Sequence, residues 1–161
     1  MNYETILKLN VFEMYYCSLN NNLNTMLKFE HKLRVRYAET DKMGFVYYGN
    51  YAAYFEVARV EFLRTMGFTY RSIEDGGIIM PVLEFGIKYF KPAHYDDELL
   101  IVTEIKELPT TRIYFEHNTF NEKGVHLNKA HVTLVVVDCK SGKPCHAPEY
   151  FMDGLKRNWR A

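Results

Sequence analysis

Asp41 stands three residues before Gly44, and Phe45, Val46, Tyr47 and Tyr48 follow without interruption. Gly49 and Asn50 then lead into a run with helical spacing. Gly44 can adopt backbone conformations closed to other residues, so it can turn the chain sharply after the acid. The aromatic and apolar residues supply walls. The first N–H groups of a helix have no partner within it. Together with the positive end of the helix dipole, they suit an oxyanion developing on a carbonyl. A carboxylate facing such donors is the minimum equipment for acyl transfer.

Whether one carboxylate suffices depends on the leaving group. An alkoxide or amine generally needs an acid to protonate it, whereas a thiol of pKa about 8.5 can leave as the thiolate. A thioester is therefore the ester class such a site could handle without a histidine. Asp41 would act either as general base on water or as a nucleophile giving a mixed anhydride. The competing reading makes Asp41 a turn or cap residue, as Asp often is, and the tyrosines core. Other catalytic signatures are missing: the sequence has no Gly-x-Ser-x-Gly, no phosphate-binding glycine loop and no His-Glu-x-x-His. Cys139, Cys145 and His146 have the wrong spacing for a zinc knuckle. No metal and no cofactor are expected.

These residues need elements to hold them. In Phe29–Glu39, Leu33, Val35 and Tyr37 alternate with Lys32, Arg34 and Arg36, which predicts a half-buried strand ahead of Asp41. Tyr51–Met66 predicts a helix apolar on most faces and wrapped on several sides, with Asn50 as N-cap and Gly67 at its left-handed end. Tyr70–Gly77 reads as a short helical turn. Four long strands are predicted at about Ile78–Phe90, Glu98–Leu108, Thr111–Asn121 and Val125–Asp138, in meander order with hairpin turns between the later ones. Pro148 would start a closing helix in its first turn. The pattern predicts an α+β fold, an antiparallel sheet curled around one long helix.

The 161 residues suggest one domain. Residues 1–28 differ in texture, with an Asn-rich stretch, and are expected to be a dispensable extension of a domain over 29–161; Met26 is the expected natural start. Twenty basic and twenty acidic residues give zero net charge, which argues against a nucleic-acid partner gripped by a broad basic face. An aromatic content of 16% calls for a large core, a subunit interface or an apolar pocket. No apolar run approaches the roughly 20 residues of a membrane helix. Three cysteines without a framework fit a reducing cytoplasm.

Asp41, Gly44, Val46, Tyr47, Tyr48, Gly49, Asn50, Tyr51, Tyr54, Phe55, Glu56, Ala58 and Arg59 together resemble the signature of hotdog-fold acyl-CoA thioesterases of the 4-hydroxybenzoyl-CoA thioesterase-like family. Residues 88–99, Lys-Tyr-Phe-Lys-Pro-Ala-His-Tyr-Asp-Asp-Glu-Leu, extend the likeness, which runs from about Phe29 to Asp138. The resemblance implies a hotdog fold and hydrolysis of an acyl-CoA, with Asp41 as the family aspartate. It puts the carbonyl-polarising N–H at Tyr48, beside that of Gly49. Gly44, Phe45, Val46 and Tyr47 would line the substrate. It also implies sites formed between subunits, hence a homodimer or homotetramer. The carrier is either CoA or an acyl carrier protein, and the same fold can also bind without hydrolysing. Relatives of the cell-envelope-associated branch carry histidine where Tyr48 stands; phenols titrate at about pH 10, so a histidine-assisted variant finds no base here. Glu56 and Arg59, at i and i+3, either pair with each other or leave Glu56 as a second carboxylate. Lys88, Lys91 and Arg112 are candidates for the CoA phosphates, or else solvated groups on an outer sheet face.

Overall fold

The computed structural model describes residues 26–159. The expected extension over residues 1–28 lies almost entirely outside them. Strand β1 (Leu27–Arg34) pairs antiparallel with β4 (Glu98–Ile105), with Leu27 opposite Ile105 and Arg34 opposite Glu98. β4 continues to β5 (Arg112–Asn121), β5 to β6 (His126–Val135), and β6 to β3 (Val82–Tyr89), every pair antiparallel. The sheet order is thus β1-β4-β5-β6-β3. Helix α1 (Asn50–Thr65) packs against its inner face, over β1 and β4.

The α+β architecture matches the sequence expectation, and three details differ. Only β4–β5–β6 form a meander. β3 lies at the opposite edge from β1, and residues 90–97 carry the chain across the end of the sheet to β4. The predicted strand Ile78–Phe90 is broken at Met80–Pro81, since proline fixes φ and offers no N–H to a ladder. Its first part, β2 (Ile78–Ile79), pairs instead with β7 (Val137–Asp138) in a small second sheet. The third difference concerns α1. It buries Tyr51, Tyr54, Phe55, Ala58, Arg59, Phe62 and Leu63, one stripe at helical spacing, while Ala52, Ala53, Glu56 and Val57 are exposed. One protomer therefore wraps one face, not several.

Burying a Phe or Leu completely stabilises by roughly 1.5–3 kcal/mol. Phe55 and Leu63 have no exposed surface, so this stripe is what anchors α1. Phe62, Leu63 and Met66 join Ile105, Ile113, Phe115 and Leu134 in one core cluster; Tyr51, Tyr54, Phe55 and Ala58 join Leu99, Ile101, Leu127 and Ala130 in another. Gly67, at φ +86°, ends the helix as expected. The short helix α2 (Tyr70–Asp75) is capped by Thr69, whose hydroxyl accepts from the Ser72 N–H. The closing helix α3 (Glu149–Asn158) has Pro148 at its N-cap and buries Phe151 and Leu155.

Candidate active site

The chain leaves β1 through a 3₁₀ turn at Tyr37–Glu39 and reaches Asp41. The Asp41 N–H donates to Phe45 O (2.8 Å), and the Gly44 N–H donates back to Asp41 O (2.9 Å). Asp41 Oδ1 accepts from the Met43 N–H at 2.8 Å, the local turn that Asp readily makes. Gly44 sits at φ +79°, the conformation its glycine was expected to supply. The far side of the loop is stitched to residues 93–94: the Val46 N–H donates to Ala93 O (2.8 Å), and Phe45 bridges His94.

A second anchor is Glu39, which is only 8% exposed. Its carboxylate accepts from the Arg36 N–H and Nε and from the Tyr54 hydroxyl, each at 2.7 Å. Burial alone would raise its pKa, but the Arg36 and Tyr54 hydrogen bonds and the Arg36 charge outweigh burial and hold the carboxyl below the usual carboxylate range. Glu39 O accepts from the Tyr47 N–H (2.8 Å) and from Asn50 Nδ2 (2.7 Å). Asn50 is therefore not the N-cap. Gly49 takes that position, in αR geometry and without a side-chain cap, while the Asn50 amide ties the first turn of α1 back to the loop.

Asp41, Met43, Phe45, Val46, Tyr48, Tyr51, Tyr89, Phe90, Lys91 and Pro92 line one cleft of about 330 Å³. Its far wall is fixed because the N–H groups of Phe90 and Lys91 both donate to Leu127 O (2.8 and 3.0 Å). Burial pushes the Tyr51 phenol up to about 12, so it stays neutral in this wall. Among the described residues, the N–H groups of Tyr48 and Gly49 have no acceptor, while the Asn50 N–H closes a turn onto Tyr47 O (2.9 Å). A carboxylate and two open amide donors thus belong to the loop that enters α1, groups of the kind acyl transfer uses.

The structure brings Asp41, Phe45, Val46, Tyr48 and Lys91 together in that cleft, with Gly44 and Gly49 in the same loop. Tyr47 lies beside it, its ring 4.5 Å from that of Tyr48 and close over Gly49, where a Cβ would lie 2.9 Å from Tyr47 Cε1. The Tyr48 ring is 65% exposed. Four further candidates lie in neither the cleft nor its loop in one protomer. Glu56 points outward from α1. Arg59 is buried and pairs with a different group from the one expected: its Nε donates to Tyr70 Oη at 2.8 Å, its guanidinium lies over Phe115, and no ion pair joins it to Glu56. Lys88 faces outward with its ammonium 5.7 Å from the Phe90 ring. Arg112 pairs with Val135, at the opposite end of β6 from Leu127. The sequence reading missed Glu39 and Tyr89. Glu39 stands three residues from Arg36, a spacing too common to single it out; Tyr89 was hidden in a strand whose sides could not be assigned.

The family description "Thioesterase superfamily" matches residues 43–127, more than half of the chain. The chain belongs to the thioesterase superfamily. It is 34% identical over 122 residues to the putative acyl-CoA thioesterase YneP of Bacillus subtilis, spanning 76% of this chain and 88% of that protein. It is 34% identical over 135 residues to the acyl-CoA thioester hydrolase YbgC of Escherichia coli O6:H1, spanning 84% of this chain and all of that protein. Among solved structures, a DHNA-CoA thioesterase from Staphylococcus aureus superposes with a TM-score of 0.73 at 35% identity, covering 78% of this chain and 85% of that one. The antiparallel sheet packed on the long helix α1 is accordingly the hotdog fold of this superfamily. The family match begins at Met43, so Asp41 stands two residues ahead of it.

Proposed function

We propose that this protein hydrolyses acyl-CoA thioesters. Asp41 takes a proton from water as the oxygen attacks the thioester carbonyl carbon. The carbonyl oxygen becomes an oxyanion held by the Tyr48 and Gly49 N–H groups. When the C–S bond breaks, the electron pair leaves on sulfur as CoA thiolate and the carbonyl re-forms as the acid. If Asp41 itself attacks, the thiolate departs from the tetrahedral adduct and leaves a mixed anhydride, which water then opens. The observation that carries this reading is the shared cleft of Asp41 and Tyr48 at the first turn of α1. The acyl-CoA activities named for the two bacterial relatives support the carrier. Thiol release from a panel of acyl-CoAs tests it, and binding without release would leave only a thioester-binding protein. Presenting one acyl chain on CoA and on an acyl carrier protein separates the two carriers.

The active unit in this reading is a homodimer, the minimum from which a tetramer could be built. Among the described residues β3 forms one edge of the sheet, and it exposes Val82 (54%), Leu83 (54%) and Phe85 (40%). An apolar edge of that kind is normally covered by a partner. The exposed thiol of Cys139 and the half-buried thiol of Cys145 are free, which suits a reducing cytoplasm.

A further inference from the structure

A trans peptide group is planar, with its N–H and C=O pointing in opposite directions. Whatever holds the carbonyl therefore sets the direction of the N–H. The turn Tyr47–Asn50 contains two peptide groups whose N–H donors are open, and the structure holds their carbonyls in different ways. The Tyr47–Tyr48 carbonyl is held inside the turn, accepting from the Asn50 N–H at 2.9 Å. The Tyr48–Gly49 carbonyl is held from outside, accepting from the Tyr89 hydroxyl at 3.1 Å. Tyr89 ends β3, paired with Asn128 of β6, and its ring meets the buried ring of Tyr51 edge-on at 5.5 Å. It is thus a fixed post on the sheet, far from the turn in sequence.

We propose that Tyr89 is a positioning residue of the thioester hydrolase: its phenol pins the Tyr48–Gly49 peptide so that the Gly49 N–H is aimed at the reacting carbonyl oxygen. This rests on the hydrolase reading above. Its share is limited to one donor, because the Tyr48 N–H is fixed by the turn itself. Without the phenol the Tyr48–Gly49 peptide is free to rock, and the developing oxyanion meets one fixed donor and one wandering one. Deleting an oxyanion donor costs about 10²–10³ in rate; misaiming one should cost less.

The test is Tyr89→Phe, which keeps the ring on Tyr51 and removes only the hydroxyl. The expected result is a fall in kcat of about 10- to 100-fold, with KM changed less than about threefold and Tm unchanged. A second readout is binding of two inert analogues. A CoA ketone with methylene in place of sulfur keeps the carbonyl oxygen and should bind more weakly to the variant. An S-alkyl-CoA thioether lacks that oxygen and should bind equally to both proteins. A raised KM with unchanged kcat, or equal weakening of both analogues, would make Tyr89 a substrate contact or a structural post and overturn the proposal. Asp41→Asn, assayed beside it, separates the two levels. If Asp41→Asn is inactive and Tyr89→Phe is normal, the positioning role fails and the hydrolase stands. If the unmodified protein releases no thiol from any acyl-CoA, both fail.

Discussion

At the scale of single residues, Asp41 is held by its own loop, not by a cation. Its one side-chain hydrogen bond among the described residues comes from the Met43 N–H to Oδ1, which leaves Oδ2 without a hydrogen-bond partner there. Asp41→Asn keeps that turn and removes the carboxylate proposed as base or nucleophile, so hydrolysis should fall by about 10²–10⁴ with the melting temperature unchanged; near-normal turnover would remove Asp41 from the mechanism. Gly44 makes a separate case. A Cβ there meets nothing within 4 Å, so the cost of Gly44→Ala comes from its φ of +79° alone. That strain is about 1–2 kcal/mol, and because it falls on the loop that carries Asp41, steady-state assays should show kcat dropping more than stability. Lys91 is the one proposed phosphate ligand that lines the cleft. Lys91→Ala should raise KM for an acyl-CoA several-fold and leave turnover of the same acyl group on pantetheine unchanged.

At the scale of elements, the sequence disclosed more than it hid. Helix α1 was found to within a residue at each end because its apolar spacing is continuous, and Gly67 marked its stop. Its one-sided burial was not legible, since Ala52, Ala53 and Val57 are apolar whether or not anything covers them. The sequence expectation ran one strand, Ile78–Phe90, through Pro81 and so missed the break, and the pairing of its two halves with different sheets was not legible because register depends on partners distant in sequence. The loop around Asp41 was legible from its glycines, but Glu39, the group that ties the loop to α1, was not: a buried acid is recognised only once Arg36 and Tyr54 are seen around it. The closing helix offers a direct test of packing. A Cβ at Gly154 would lie 2.2 Å from Phe68 Cζ, and Phe68 is itself wedged against Phe151 at 5.2 Å. Overpacking of about 1–3 kcal/mol should exceed the roughly 1 kcal/mol gained from better helix propensity, so Gly154→Ala should lower the melting temperature by a few degrees in a calorimeter.

At the scale of the whole molecule, a histidine in the interior ties stability to acidity. His117 is fully buried between Phe55 and Phe115, with Nδ1 3.0 Å from Thr103 Oγ1. Burial, followed by the nearby Arg59 charge, lowers its pKa from 6.5 to about 3. Between those values the unfolded chain binds a proton that the folded chain refuses. Stability is therefore fully present above pH 6.5 and declines as pH falls, by up to about 1.4 kcal/mol per pH unit. Urea titrations at pH 7.5, 6 and 5 should show that slope, shallower in His117→Gln and not abolished, because His126 is shifted in the same direction. The strand β3 has another kind of reach. It supplies Tyr89 to the cleft and, a few residues earlier, exposes Leu83 and Phe85 along the sheet's margin. In the dimer proposed above, a contact made at that margin would reach the cleft along a single backbone. Catalytic output per chain should then decline on dilution through the range where copies separate, and Leu83→Lys should shift that decline to higher protein concentration.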